Sequence, residues 1–188
     1  MKLRWVMFAF VLVAAAQVAA PVAMIRQRAA TLRNGRTYKF RTRPVDPVDP
    51  FRGRYVRLWF EQDHAPWSGT ELERGVTGYA RVEENADGFA IVRAVSPEPP
   101  KQGDFFKVQV NYAGYGTNAG TAYFQMPFDR FYLEETKAPV AERVYGENNR
   151  RGQSNSNTFA LVRIQNGDAA LVDLYVGGKP IAESLKTH

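Results

Sequence analysis

The chain contains no cysteine in its 188 residues and only two histidines, His64 and the terminal His188. Without cysteine there are no disulfide frameworks, zinc–thiolate sites or thiol nucleophiles. With so few histidines, a Ser-His-Asp arrangement would have to join His64 to Ser68 or to a remote serine, and no Gly-x-Ser-x-Gly turn is present to expose one. Glycine is plentiful around Gly114–Gly120. That stretch nevertheless lacks dinucleotide spacing and a Gly-Lys-Ser/Thr ending, and strand-like Thr121–Met126 follows it, so it reads as a flexible hairpin connection. Acidic residues are missing from the first 36 positions, whereas six of the 25 basic residues lie there. From Thr37 onward 25 − 6 = 19 basic residues meet 19 acidic ones, a net of zero. The basic balance therefore belongs to the N-terminal segment, and no nucleic-acid partner is expected.

Charge is also absent from Trp5–Ile25, 21 residues whose one polar member is Gln17. As a helix this run would be roughly 31 Å long, matching the ~30 Å hydrocarbon layer of a bilayer. Lys2, Arg4 and the alanine-rich core also fit a secretory signal, which is the competing reading. Pro21 directly after the small-residue site Val18-Ala19-Ala20, and the apolar run continuing to Ile25, favour an uncleaved single-pass anchor. The expected organisation is an anchor over residues 1–25, a basic stalk over 26–36 and one domain over 37–188. Lys2 and Arg4 favour an inside N-terminus while Arg26, Arg28, Arg33 and Arg36 compete from the other flank, and the domain is expected on the extracytoplasmic side.

Beyond the anchor, apolar residues recur with period two. Tyr38 and Phe40 alternate with Lys39 and Arg41. Val56, Leu58 and Phe60 alternate with Tyr55, Arg57 and Trp59, and Phe106, Val108, Val110 and Tyr112 with Lys107, Gln109 and Asn111. Such alternation means half-buried strands. Asn85-Ala86-Asp87-Gly88 and Asn166-Gly167 supply turn chemistry for two hairpins, the second with the positive φ angles that a two-residue turn requires. Only Ala138–Tyr145 reads as a short helix. The expected fold is mainly β: an antiparallel barrel or sandwich with one short helix, behind an N-terminal transmembrane helix.

Thr42–Phe60 reads TRPVDPVDPFRGRYVRLWF. Pro44, Pro47 and Pro50 fix φ and bias the preceding residues to extended conformations, and Asp46 and Asp49 suit turn hydrogen bonds. Gly53 permits a bend before a strand that presents Val56, Leu58 and Phe60 to the core. Asp46, Asp49, Arg52 and Arg54 could also form an exposed polar cluster, although two carboxylates beside two arginines make a poor cation site. No metal or cofactor is expected.

The Pro-Val-Asp-Pro stretch, the second Asp-Pro and the following Gly-x-Tyr-x-x-Leu-x-aromatic resemble the signature of the GDYXXLXY family, membrane-anchored bacterial proteins without assigned activity. Asp46, Pro47, Asp49, Gly53, Tyr55 and Leu58 carry the resemblance, and Phe131-Tyr132-Leu133-Glu134 extends it. Arg54 stands where the family name has Asp, and Phe60 where it has the last Tyr. A charge-inverting replacement at Arg54 implies a mainly architectural motif. The resemblance also implies a multi-span membrane protein as partner, because members often occur beside genes for such proteins.

Seven aromatic residues crowd into Tyr112–Tyr132. Tyr115, Phe128 and Tyr132 are the candidates for a partner-binding surface, since Tyr115 lies among glycines and Phe128 falls outside clean alternation. The expected function is a non-catalytic accessory or binding domain, held at a lipid bilayer, for another envelope component, an integral membrane protein. The alternative is a membrane-tethered hydrolase using Asp46, Asp49 or Glu134 as acid or base.

Overall fold

The computed structural model describes residues 2–43, 55–69, 74–113, 120–134, 137–148 and 157–185. Asp46, Pro47, Asp49, Arg52, Gly53, Arg54 and Tyr115 lie outside them.

Helix α1 (Lys2–Asn34) runs unbroken through Pro21 and is long and apolar enough to cross a membrane. Its 33 residues correspond to roughly 50 Å, so the apolar part can span the hydrocarbon layer while the last turns project beyond it. Those turns replace the expected stalk. They lie on the β domain, with Thr31 buried, the Gln27 amide donating to Asp168 and the Arg28 guanidinium donating to the Ala169 carbonyl. Arg163 in turn donates to the carbonyls of Leu32 and Arg33, satisfying acceptors that a helix C-terminus leaves unpaired. Gly35 then passes directly into the first strand. A Cβ there would stand 2.5 Å from the Thr31 carbonyl oxygen, so the close approach of helix end and strand needs glycine.

Three antiparallel sheets follow. The first has order β1-β9-β10-β11, from β1 (Arg36–Arg41), β9 (Phe159–Gln165), β10 (Asp168–Val176) and β11 (Lys179–Pro180). The second pairs β2 (Tyr55–Arg57) with β8 (Arg130–Tyr132). The third has order β3-β7-β6-β4-β5, from β3 (His64–Pro66), β4 (Thr77–Glu84), β5 (Ala90–Ser96), β6 (Asp104–Ala113) and β7 (Thr121–Gln125). Two short helices, α2 (Ala138–Asn148) and α3 (Ile181–Ser184), complete the described elements, one more than the sequence led us to expect.

Both hairpin turns form where the turn residues lie. Asn166 and Gly167 adopt φ of 50° and 88° between β9 and β10. Between β4 and β5 the Asn85 side-chain oxygen accepts from the backbone N–H groups of Asp87 and Phe89, with Gly88 at φ 76°. The five-stranded sheet curls until its two edge strands touch. Trp67 makes one parallel bridge to Val95, and the Gln62 carboxamide pairs with both the N–H and the carbonyl of Val92 at 2.7 Å. These contacts cover the outer edge of β5, a feature that blocks edge-to-edge association. One bridge and one side chain do not make a ladder, so the arrangement is sandwich-like and no barrel closes.

The core is where the sheets meet. Phe40 from β1, Phe60 after β2, Phe106 from β6 and Phe128 before β8 pack as one cluster, with centroids 5.1 Å (Phe40–Phe128), 5.3 Å (Phe60–Phe128) and 5.5 Å (Phe106–Phe128) apart. Phe128 touches the other three. Expected at a partner-facing surface, it is 3% exposed, because the turn between β7 and β8 directs the ring inward to fill the junction. A second correction concerns Tyr112. Period two predicts it inward with Val110, but a register shift between Val110 and Tyr112 in the β6–β7 pairing reverses its direction and leaves it 51% exposed.

Candidate functional site

The motif strand divides its residues between two environments. Val56, Leu58 and Phe60 are buried, as the alternation predicts, while Tyr55, Arg57 and Trp59 face outward. Pairing with β8 sets Tyr55 opposite Tyr132 and Arg57 opposite Arg130. The outer face of this ribbon is consequently a ladder of rings and guanidinium groups. Tyr55 and Tyr132 lie 5.7 Å apart, Arg130 sits over the Tyr55 ring at 5.2 Å, and Arg57 and Arg43 sit over Trp59 at 4.9 and 5.3 Å. Asp129, behind the ladder, is 3.9 Å from both Arg57 and Arg130 and accepts a short hydrogen bond from Gln125. The Tyr132 hydroxyl, and after it the Asp129 carboxylate, hold the Arg130 guanidinium above its ordinary pKa. Tyr132, at 66%, is the most exposed aromatic ring of the β domain among the described residues.

Next to the ladder lies a cleft of about 170 Å³. Trp59 forms part of its rim, and Tyr112 and Tyr123 another part, stacked 4.2 Å apart at an interplanar angle of 10°. His64 extends the stack beyond Tyr123 at 5.2 Å and is held through Nδ1 by Asp63 at 2.9 Å. Asp63 pairs in addition with Arg43 at 3.2 Å. Partial desolvation, then the neighbouring Tyr123 and Asp63, raise the Tyr112 phenol above its ordinary value. Among the described residues no set of three His, Asp or Glu side chains is placed to hold a metal ion.

Other sequence candidates are scattered. The Ser68 hydroxyl donates to the Val95 carbonyl at 3.2 Å, away from the His64–Asp63 pair. Glu134 is largely exposed and pairs with Lys137 at 2.8 Å, as a solvated surface carboxylate does. Asp46 and Asp49, the other carboxylates of the hydrolase reading, lie outside the described residues, as do Pro47, Gly53 and Tyr115. Within the family motif Tyr55 and Leu58 fall on opposite faces, one in the ladder and one in the core. Trp59, Tyr123 and the arginines were not singled out as a site by the sequence. For Arg57 and Trp59 the available signal was the outward half of the motif's own alternation.

A family model described as GDYXXLXY protein matches residues 17–174. No curated protein and no solved structure matches the chain.

Proposed function

The chain belongs to the GDYXXLXY family, and from that premise we propose that it is a membrane-anchored, non-catalytic binding domain whose partner is another envelope component, an integral membrane protein. The observation that carries this reading is the exposed ladder of Tyr55, Tyr132, Arg57 and Arg130. Tyrosine, tryptophan and arginine are the residues enriched at protein interfaces and at their energetic centres. Here they occupy the outward face of the strand that bears the family motif. Held against one another and against Asp129, these long side chains have lost much of their freedom in advance, which lowers the entropy cost of association.

Two further features support the reading. The last turns of α1 are fastened to β9 and β10, so the domain would be held in a set orientation next to its membrane helix and the ladder presented from a fixed position. Lys2 and Arg4 before the apolar run favour a cytoplasmic N-terminus and hence an extracytoplasmic domain, with α1 retained as a signal-anchor. Glu134 in solvent offers the rival hydrolase no environment in which a carboxyl would serve as acid or base.

The test is co-purification. Full-length tagged protein extracted from membranes in mild detergent is expected to bring down a membrane protein in stoichiometric amount. The Tyr55→Ser/Tyr132→Ser double variant should lose that partner while keeping the wild-type melting curve. Retention of the partner by a folded double variant would overturn the assignment to this face.

A further inference from the structure

The cleft beside the ladder has a construction of its own. The stack His64–Tyr123–Tyr112 ends on Tyr112, half exposed, so one face of a flat ring is open at the end of a pile whose other members are held by neighbours. Trp59, braced by Arg43 and Arg57, also lines the cleft. The rest of the lining is mixed: Asn111, Gln125, Asp63 and Asp129 supply planar polar groups, and Leu58, Phe60, Phe124 and Met126 supply apolar surface. Carboxamides and carboxylates of this kind can bond two adjacent hydroxyl groups at once, because each presents two polar atoms in one plane.

Charge and size narrow the ligand. The cleft's two arginines are matched by its two aspartates, Arg43 with Asp63 at 3.2 Å and Arg57 with Asp129 at 3.9 Å. An anion would find no surplus positive charge there, and a cation no surplus negative charge. At about 170 Å³ the space is well below the ~300–1,000 Å³ of clefts that enclose drug-sized molecules, so it suits a single ring. A ligand that is uncharged, offers one flat apolar face and carries hydroxyls around its rim is a pyranose sugar.

We infer that this cleft binds one neutral sugar ring of a glycan, with the ring's C–H face on Tyr112 and its hydroxyls toward Asp63, Asn111, Gln125 and Asp129. The cleft shares Arg57 and Asp129 with the partner-binding ladder, while Tyr55, Tyr132 and Arg130 lie outside it, so lesions at Tyr112 and Asn111 on one side and at Tyr55 and Tyr132 on the other test the two readings separately.

The experiment uses the full-length protein in a detergent without a sugar headgroup, such as dodecyldimethylamine oxide. Methyl glucoside, methyl galactoside and N-acetylglucosamine are titrated one at a time and followed by saturation-transfer NMR. At least one is expected to bind saturably, with an affinity unchanged between low and high salt, because a neutral ligand gains nothing from charges that salt screens. Tyr112→Ala should weaken it about tenfold, the loss of one stacking face, while Tyr112→Phe keeps the ring and retains binding. Tyr112 is exposed, so both variants should melt as wild type does, and Asn111→Ala supplies an independent lesion on the polar side. Failure of all three sugars to saturate, undiminished binding in folded Tyr112→Ala, preference for uridine or adenosine, or salt-sensitive preference for glucuronate would each overturn the inference. No partner protein is present in this assay, so its failure leaves the co-purification result untouched, and the reverse holds too.

Discussion

Two sets of aromatic rings arise from nearly the same stretches of chain and end in opposite places. Phe60, Phe106 and Phe128 join Phe40 in a dry cluster, whereas Tyr55, Tyr112, Tyr123 and Tyr132, a few residues away, line the outer face and the cleft. The difference is one oxygen atom. A phenyl ring can be enclosed without leaving a polar group unmatched, while a phenol needs either water or a partner. At the surface the phenols are accompanied by guanidinium groups and carboxylates, which turn a hydrophobic load into an organised face. Tyr38 crosses the division: it is 2% exposed and keeps its hydroxyl satisfied by donating to Asp104 at 2.7 Å.

The comparison breaks most sharply at Phe128. Phe128→Ala removes the ring that touches all three others and should cost about 3–5 kcal/mol, enough to leave much of the domain unfolded at growth temperature. A loss below about 1 kcal/mol in a urea titration would mean that the ring is not part of the core.

Tyr38→Phe has a smaller expected effect, about 1 kcal/mol at neutral pH, since Asp104 loses a donor but keeps Arg36 at 3.8 Å. Its pH dependence is more informative. Burial first, then the hydrogen bond and charge of Asp104, raise the Tyr38 phenol above its ordinary value of 10.0. The folded state therefore holds this proton more tightly than the unfolded state. Its stabilising contribution is complete below pH ~10 and is lost as pH rises further. Wild type and Tyr38→Phe should thus converge in stability above pH ~10, as read by urea titration at stepped pH. Parallel curves through that range would show that the phenol is free to ionise in the folded state.

The smallest effect is expected at Tyr132. Tyr132→Ser removes a ring that is mostly in water and should change stability by no more than about 0.5 kcal/mol. A larger loss would place Tyr132 with the phenylalanines and remove the basis for reading the ladder as an interface.

Much of the fold was legible because it is specified locally. The apolar length of Trp5–Ile25, the alternation around Phe40, Leu58 and Val108, and the turns at Asn85 and Asn166 each depend on a handful of consecutive residues. Period and turn chemistry act at that range. The strand β3 was not legible, since three residues whose pairing partners lie nearly sixty positions later carry no period of their own. The site was legible only in part. The sequence picked out Tyr132 and the aromatic density of Tyr112–Tyr132, but it also chose Phe128, and it missed Trp59 because it read the motif strand for its inward half.

By itself, then, the sequence determined an apolar helix at the N-terminus, a β domain of short antiparallel strands, the residues at its hairpin turns and membership of a family through the Asp46–Leu58 signature. The tertiary structure decided which aromatics are surface and which are core. A bulge at Asn111 turns Tyr112 outward, the turn before β8 turns Phe128 inward, and the docking of Gln27, Arg28 and Thr31 converts a stalk into part of the domain. In each case the outcome depends on what another segment, distant in the chain, places against the residue. Burial is a property of that contact, and no local pattern of polar and apolar residues specifies it.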